Sequence, residues 1–113
     1  MKICITAQGP GPRDSFEERF GRAPYFIICD TETGKMDAVR NGLAGEAGGV
    51  GPKAAQVLQM HSVAALVTGM VGMHAQQTLD AAGISIFRGE TGRTVEETFQ
   101  AFSDKKLPRM AEG

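Results

Sequence analysis

Apolar positions along the chain come in short bursts divided by glycine-rich stretches. Residues 2–7 open with alternating β-branched positions and read as a first strand. Residues 8–19 follow as a loop, because Gly9-Pro10-Gly11-Pro12 neither extends a strand nor starts a helix easily. Residues 24–30 are aromatic and β-branched, a second strand. A turn at Glu32-Thr33-Gly34-Lys35 leads into a third over 36–40, which makes strands two and three a hairpin. Residues 41–51 form a second long loop carrying Gly42, Gly45, Gly48, Gly49 and Gly51. Pro52 stands at the first position of a helix that runs to about His61, with Ala54, Val57, Leu58 and His61 along one face.

Residues 63–68 are almost wholly apolar, as a strand covered on both faces would be. Gly69-Met70-Val71-Gly72 turns into a second helix with Ala75, Leu79 and Ala82 inward and Gly83 closing it. Residues 84–87 make a fifth strand. Thr94 opens a third helix, Glu97 completes a capping box, and Val95, Phe99 and Phe102 form its apolar stripe.

The order β-β-β-α-β-α-β-α predicts a single α/β domain. Short connections and right-handed crossovers favour a mixed five-stranded sheet in the order 3-2-1-4-5, flanked by helices in three layers. This is a ribonuclease H-like fold. A flavodoxin-like domain would need helices between the early strands, where this chain has a hairpin.

Composition narrows the function. The chain has 113 residues, a 42% hydrophobic and 22% charged share, and a formal net charge of -1. That balance argues against a nucleic-acid binder that neutralises many phosphates. The first apolar run is too short for a signal-peptide core or a membrane span, so a cytoplasmic protein without a membrane partner is expected. Cys4 and Cys29 have no CxxC spacing and sit among apolar residues, which predicts buried, inert thiols.

In the predicted topology, strands one, three, four and five point one way and strand two runs back. Residues 8–24, 41–53, 69–74 and 88–93 then meet at one edge, the usual place for ligands in open α/β sheets. Gly48-Gly49-Val50-Gly51-Pro52-Lys53 is the sharpest element there. Its glycines can turn successive N–H groups toward an anion at the start of a helix, although it is neither a Walker A nor a dinucleotide motif. Arg22, Lys53, His74, Arg88 and Arg93 bring cationic or imidazole groups to the same edge, and Gly72 precedes the second helix start. The expected ligand-binding set is therefore Arg22, Gly48, Gly49, Gly51, Lys53, Gly72, His74 and Arg93.

Met70, Met73 and His74 are soft donors with no HxxxH or CxxC geometry beside them, and Met73 could equally pack beneath its helix. Enzymatic signatures are missing. The first strand has no carboxylate for a two-metal nuclease, Asp30 and Asp37 fall at the other end of the hairpin, and no GxSxG elbow occurs. The chain is expected not to be an enzyme.

Phe20-Gly21-Arg22-Ala23-Pro24-Tyr25-Phe26, the 48–55 loop, Thr68-Gly69-Met70-Val71-Gly72 and Ala82-Gly83-Ile84, taken in order, resemble the nitrogenase iron–molybdenum cofactor biosynthesis family. Thr6-Ala7-Gln8-Gly9-Pro10 and Ala111-Glu112-Gly113 resemble a branch that carries a molybdenum–copper sulfide cluster without covalent attachment. The resemblance implies a ribonuclease H-like fold without nuclease activity. It also implies binding or delivery of an anionic molybdenum–copper sulfide or related molybdenum–iron–sulfur cluster, and protein partners in delivery or regulation. A regulatory or assembly module of the same fold without a cluster is the alternative. The chain departs from the family pattern at Arg19, where many members have histidine, and at Met73-His74, where many have a Pro-Asn pair.

Overall fold

The computed structural model describes residues 1–42 and 50–110, and the side chains of these except at 50–52. Its elements run β1 (Lys2–Ala7), β2 (Tyr25–Asp30), β3 (Met36–Arg40), α1 (Val50–Met60), β4 (Ala65–Thr68), α2 (Met73–Ala81), β5 (Ser85–Arg88) and α3 (Val95–Ser103). The five strands form one sheet in the order β3-β2-β1-β4-β5. β2 is antiparallel to β1 and β3, while β4 is parallel to β1 and β5 to β4. The ribonuclease H-like arrangement expected from the sequence is therefore the observed one.

Strand alternation divides the core into two layers. Cys4, Phe26, Ile28, Leu66 and Ile86 point to one face, where they pack with Ala54, Ala55 and Leu58 of α1 and Ala75 and Leu79 of α2. Ile3, Ile5, Ala7, Ile27, Cys29, Ala65 and Val67 point to the other, where Val95, Phe99 and Phe102 of α3 cover them. This two-sided cover is why β1 and β4 read as nearly unbroken apolar runs rather than alternating ones. β3, at the edge, is half-buried at best.

Several boundaries shift from expectation. α1 begins at Val50, so Gly51 and Pro52 lie inside its first turn. A proline costs little there, because first-turn N–H groups have no intrahelical partner anyway. His61 falls beyond the helix and is exposed, not on a buried face. Val63 and Ala64 precede β4, and β5 starts one residue later than predicted. The capping box of α3 is present, with the Thr94 hydroxyl accepting from the Glu97 amide at 3.1 Å and the Glu97 carboxylate accepting from the Thr94 amide at 2.9 Å. Gly83 follows α2 with φ 75°, the left-handed closing conformation that favours glycine. No helix among the described residues is long and apolar enough to cross a membrane.

Candidate functional site

The registers Ala7 to Tyr25, Tyr25 to Arg40 and Thr68 to Arg88 bring the ends of β1, β3, β4 and β5 and the start of β2 to one edge. The described parts of the four predicted loops all emerge there. Asp30, opposite Lys2, lies at the far edge.

The segment after β1 crosses this edge and is stitched down along its length. Its first half joins the start of α3: the Phe16 amide donates to the Arg93 carbonyl at 2.9 Å, and the Val95 amide to the Asp14 carbonyl at 2.9 Å. Its second half joins the turn after β4. Gly69 and Met70 amides donate to the Glu18 carbonyl at 2.8 and 2.6 Å, and the Phe20 amide to the Met70 carbonyl at 3.0 Å. Two buried threonines at the ends of adjacent strands hold the middle. The Thr6 hydroxyl donates to the Glu17 carbonyl at 2.6 Å, and the Thr68 hydroxyl, 2.9 Å away, lies 3.3 Å from the Glu18 carbonyl. Buried Asn41 donates its amide to the Ala23 carbonyl at 2.8 Å and so fixes the end of the crossing.

Phe20 and Ala23 are buried with Ala54, Ala55 and Ala75 in one cluster. Arg22 lies between them in sequence, two residues beyond the Phe20 amide that donates to the Met70 carbonyl ahead of α2. Lys53 in the first turn of α1 and His74 in the first turn of α2 are exposed, as is Arg22. None of the three makes a side-chain hydrogen bond or ion pair among the described residues. Gly72 is the N-cap of α2 and supplies no side-chain cap. Neither α1 nor α2 has an acidic residue in its first turn, so no first-turn carboxylate offsets the positive end of either helix. α3 differs, with Glu96 and Glu97 in its first turn.

Arg93 belongs to the α3 half of the edge. Its guanidinium is 3.2 Å from the Glu90 carboxylate, and with Glu97 and Gln100 it lines a groove along α3. Arg88 is exposed at the end of β5. Gly51 lies within α1, while Gly48 and Gly49 lie outside the described residues. Met73 does not pack beneath its helix: it is 72% exposed, and Met70 is 58% exposed.

Glu17 is a buried carboxylate at this edge. Burial alone would push its carboxyl up. The Arg19 amide, at 2.9 Å, the Arg19 guanidinium, at 3.3 Å, and the Gln8 side chain outweigh it and hold the group below the usual carboxylate value. Thr6, Glu17, Asn41 and Thr68 are positioning residues that sequence reading passes over. Thr6, Asn41 and Thr68 leave no periodic signature because their partners lie on distant segments, and Glu17 leaves none because its burial, unlike its Arg19 partner, is set by the fold.

Residues 1–105 match the family described as dinitrogenase iron-molybdenum cofactor. No curated protein matches the chain significantly. The apo form of the orange protein from Desulfovibrio gigas superposes with a TM-score of 0.93 at 39% identity, over 98% of this chain and 93% of that one. A candidate NifB protein from Thermotoga, of the DUF35 family, superposes with a TM-score of 0.85 at 39% identity, over 99% and 98%. A candidate dinitrogenase from Methanocaldococcus jannaschii, 16% identical over 100% and 97% of the chains, shares the fold with a TM-score of 0.72.

Proposed function

The chain belongs to the dinitrogenase iron-molybdenum cofactor family, and from that premise we propose that it binds an anionic molybdenum-containing sulfide cluster non-covalently, with copper as the second metal, and carries or delivers it. The observation that carries this reading is that the first turns of α1 and α2 hold no carboxylate and display Lys53 and His74, which like Arg22 have no side-chain partner among the described residues. Lys53 and His74 stand in the first turns of two helices, whose starts carry partial positive charge. An anion is the ligand such a place favours.

The thiols support non-covalent holding. Cys4 and Cys29 are fully buried, Cys4 toward α1 and α2 and Cys29 toward α3, so neither reaches the loop edge. Carriage rather than catalysis is supported by the carboxylates. β1 has none, Asp30 lies at the opposite edge, and Glu17 is engaged by Arg19.

Titration with tetrathiomolybdate, with and without copper, followed by absorbance, tests the reading. One charge-assisted hydrogen bond to a partly buried anion contributes about 1.5–3 kcal/mol. Arg22→Glu and Lys53→Glu should therefore each weaken binding about tenfold or more while leaving stability nearly unchanged, since both side chains are exposed. If both variants bind as tightly as the parent, the ligand does not sit at this edge as an anion.

A further inference from the structure

Large side chains in a protein interior interdigitate and leave few gaps. On the α3 face of the sheet a groove of about 690 Å³ stays open between Phe87 of β5, Phe102 near the end of α3, and Leu107 beyond it. All three are only half-buried. The groove reaches Met1 and Thr31, at the end of the sheet opposite the loop edge.

Its walls are fixed. The Phe87 and Phe102 rings meet edge to face at 5.1 Å. The segment after α3 pairs with the edge of β5: the Arg88 amide donates to the Pro108 carbonyl at 2.9 Å, and the Met110 amide to the Ile86 carbonyl at 2.8 Å. Arg109 thereby stands opposite Phe87, and residues paired across antiparallel strands share a face. At the far end the Thr31 amide donates to the Met1 carbonyl at 2.9 Å.

Its charge is one-sided. Lys105 and Arg109 line the groove, and among the described residues no acidic one does. The neighbouring Asp104 carboxylate accepts from the Gln100 side chain at 3.1 Å and lines the other groove along α3. Arg109 has an interaction partner within the protein, whereas Lys105 makes no side-chain hydrogen bond or ion pair among the described residues.

The backbone at Lys105 is a second, independent observation. The Lys105 amide donates to the Phe102 carbonyl and the Lys106 amide to the Ala101 carbonyl, both at 3.0 Å, and these bonds close α3. Lys105 is held there at φ 58°. That left-handed closing position favours glycine, which Gly83 supplies after α2, and the short Ser62 takes it after α1. A lysine is strained in it, and strain kept at one residue points to a task for its side chain.

We propose that this groove binds a small molecule with an apolar body and one anionic head, of which a medium-chain carboxylate is the simplest. The body lies on Phe87, Phe102 and Leu107, and the head meets Lys105. The volume is within the range of small-molecule sites, about 300–1,000 Å³, which combine apolar walls with a few placed polar groups. A cationic rim without carboxylates selects an anion over a cation. The inference does not rest on the cluster reading, which concerns other residues at the opposite end of the sheet.

The test is calorimetric titration of the full chain with octanoate, kept below its micelle-forming concentration, beside neutral octanamide and cationic octylammonium. Octanoate should bind at one equivalent, octanamide more weakly and octylammonium weakest. From hexanoate to decanoate the affinity should rise about two- to fourfold per methylene. Lys105→Gly should weaken octanoate about three- to tenfold, as loss of one exposed charged partner does, and leave octanamide unchanged. The same variant should raise the urea midpoint, because glycine relieves the left-handed backbone. Lys105→Gln should lose the same affinity without that rise. Amide chemical-shift changes should centre on Phe87, Phe102 and Leu107. Four outcomes overturn the proposal: no saturable octanoate binding by the parent, equal affinity for octanoate and octanamide, unchanged octanoate affinity in both Lys105 variants, or self-association of the parent that Leu107→Gln abolishes and octanoate leaves untouched. The last would make a second copy of the chain the occupant.

Discussion

A formal charge at a residue becomes a binding group only where its neighbours leave it free. Arg22 and Lys53 have no side-chain partner among the described residues, whereas Arg19 and Arg93 are tied to Glu17 and Glu90. The two cysteines make the converse point. Burial pushes the Cys4 thiol well above its usual range, with Cys29 raising it further, and burial pushes the Cys29 thiol up to about 12. Only a thiolate attacks a disulfide reagent, so both thiols should be silent toward Ellman's reagent in the native protein at neutral pH. Both should react on unfolding in guanidinium. Rapid native modification of either, with circular dichroism unchanged, would contradict the buried placement.

At the scale of elements, the glycines of the edge do unlike jobs. A Cβ at Gly69 would come within 2.7 Å of the Glu18 Cβ and 3.0 Å of the Glu18 carbonyl oxygen, so the crossing segment can lie on this turn only because no side chain intervenes. At Gly72 an added Cβ meets nothing within 4 Å, and φ is -67°, so neither space nor backbone requires glycine. Gly69→Val should lower the urea midpoint clearly, while Gly72→Ser should leave it unchanged or raise it, because serine is a better N-cap than glycine by a few tenths of a kcal/mol. Thr94→Ala, which removes a working cap from α3, should cost about 1 kcal/mol in the same measurement. Equal midpoints for Gly69→Val and the parent would mean that the stitch at Glu18 is not holding the edge.

For the molecule as a whole, three well-separated carboxyls share one response to acid. Glu17 is held low against its burial by Arg19 and Gln8, Asp30 by backbone amides at Glu32 and Thr33, and Glu97 by Thr94. In each the folded value lies below the unfolded one, so the native state binds fewer protons in that window. Stability from these groups is complete above the unfolded carboxyl range, about 4–4.5, and is lost as pH falls through the folded values. Urea midpoints should therefore be flat from neutral pH to about 5 and fall below it, and Glu17→Gln should flatten part of that fall. A midpoint that does not drop below pH 4 would contradict all three assignments. Strand order, the hairpin, the capping box and the edge where the loops meet are legible in the sequence, because alternation, turn residues and caps act over a few neighbouring positions. The likeness to the family is legible for a related reason: its glycines and the Phe-Gly-Arg stretch lie in short local runs. Which cations lack a partner among the described residues, which threonines are buried under the crossing segment and which methionines face water were decided only by tertiary structure. Those properties depend on partners such as Glu17 with Thr6, Glu18 with Gly69 and Asn41 with Ala23, whose distance along the chain leaves no local pattern to read.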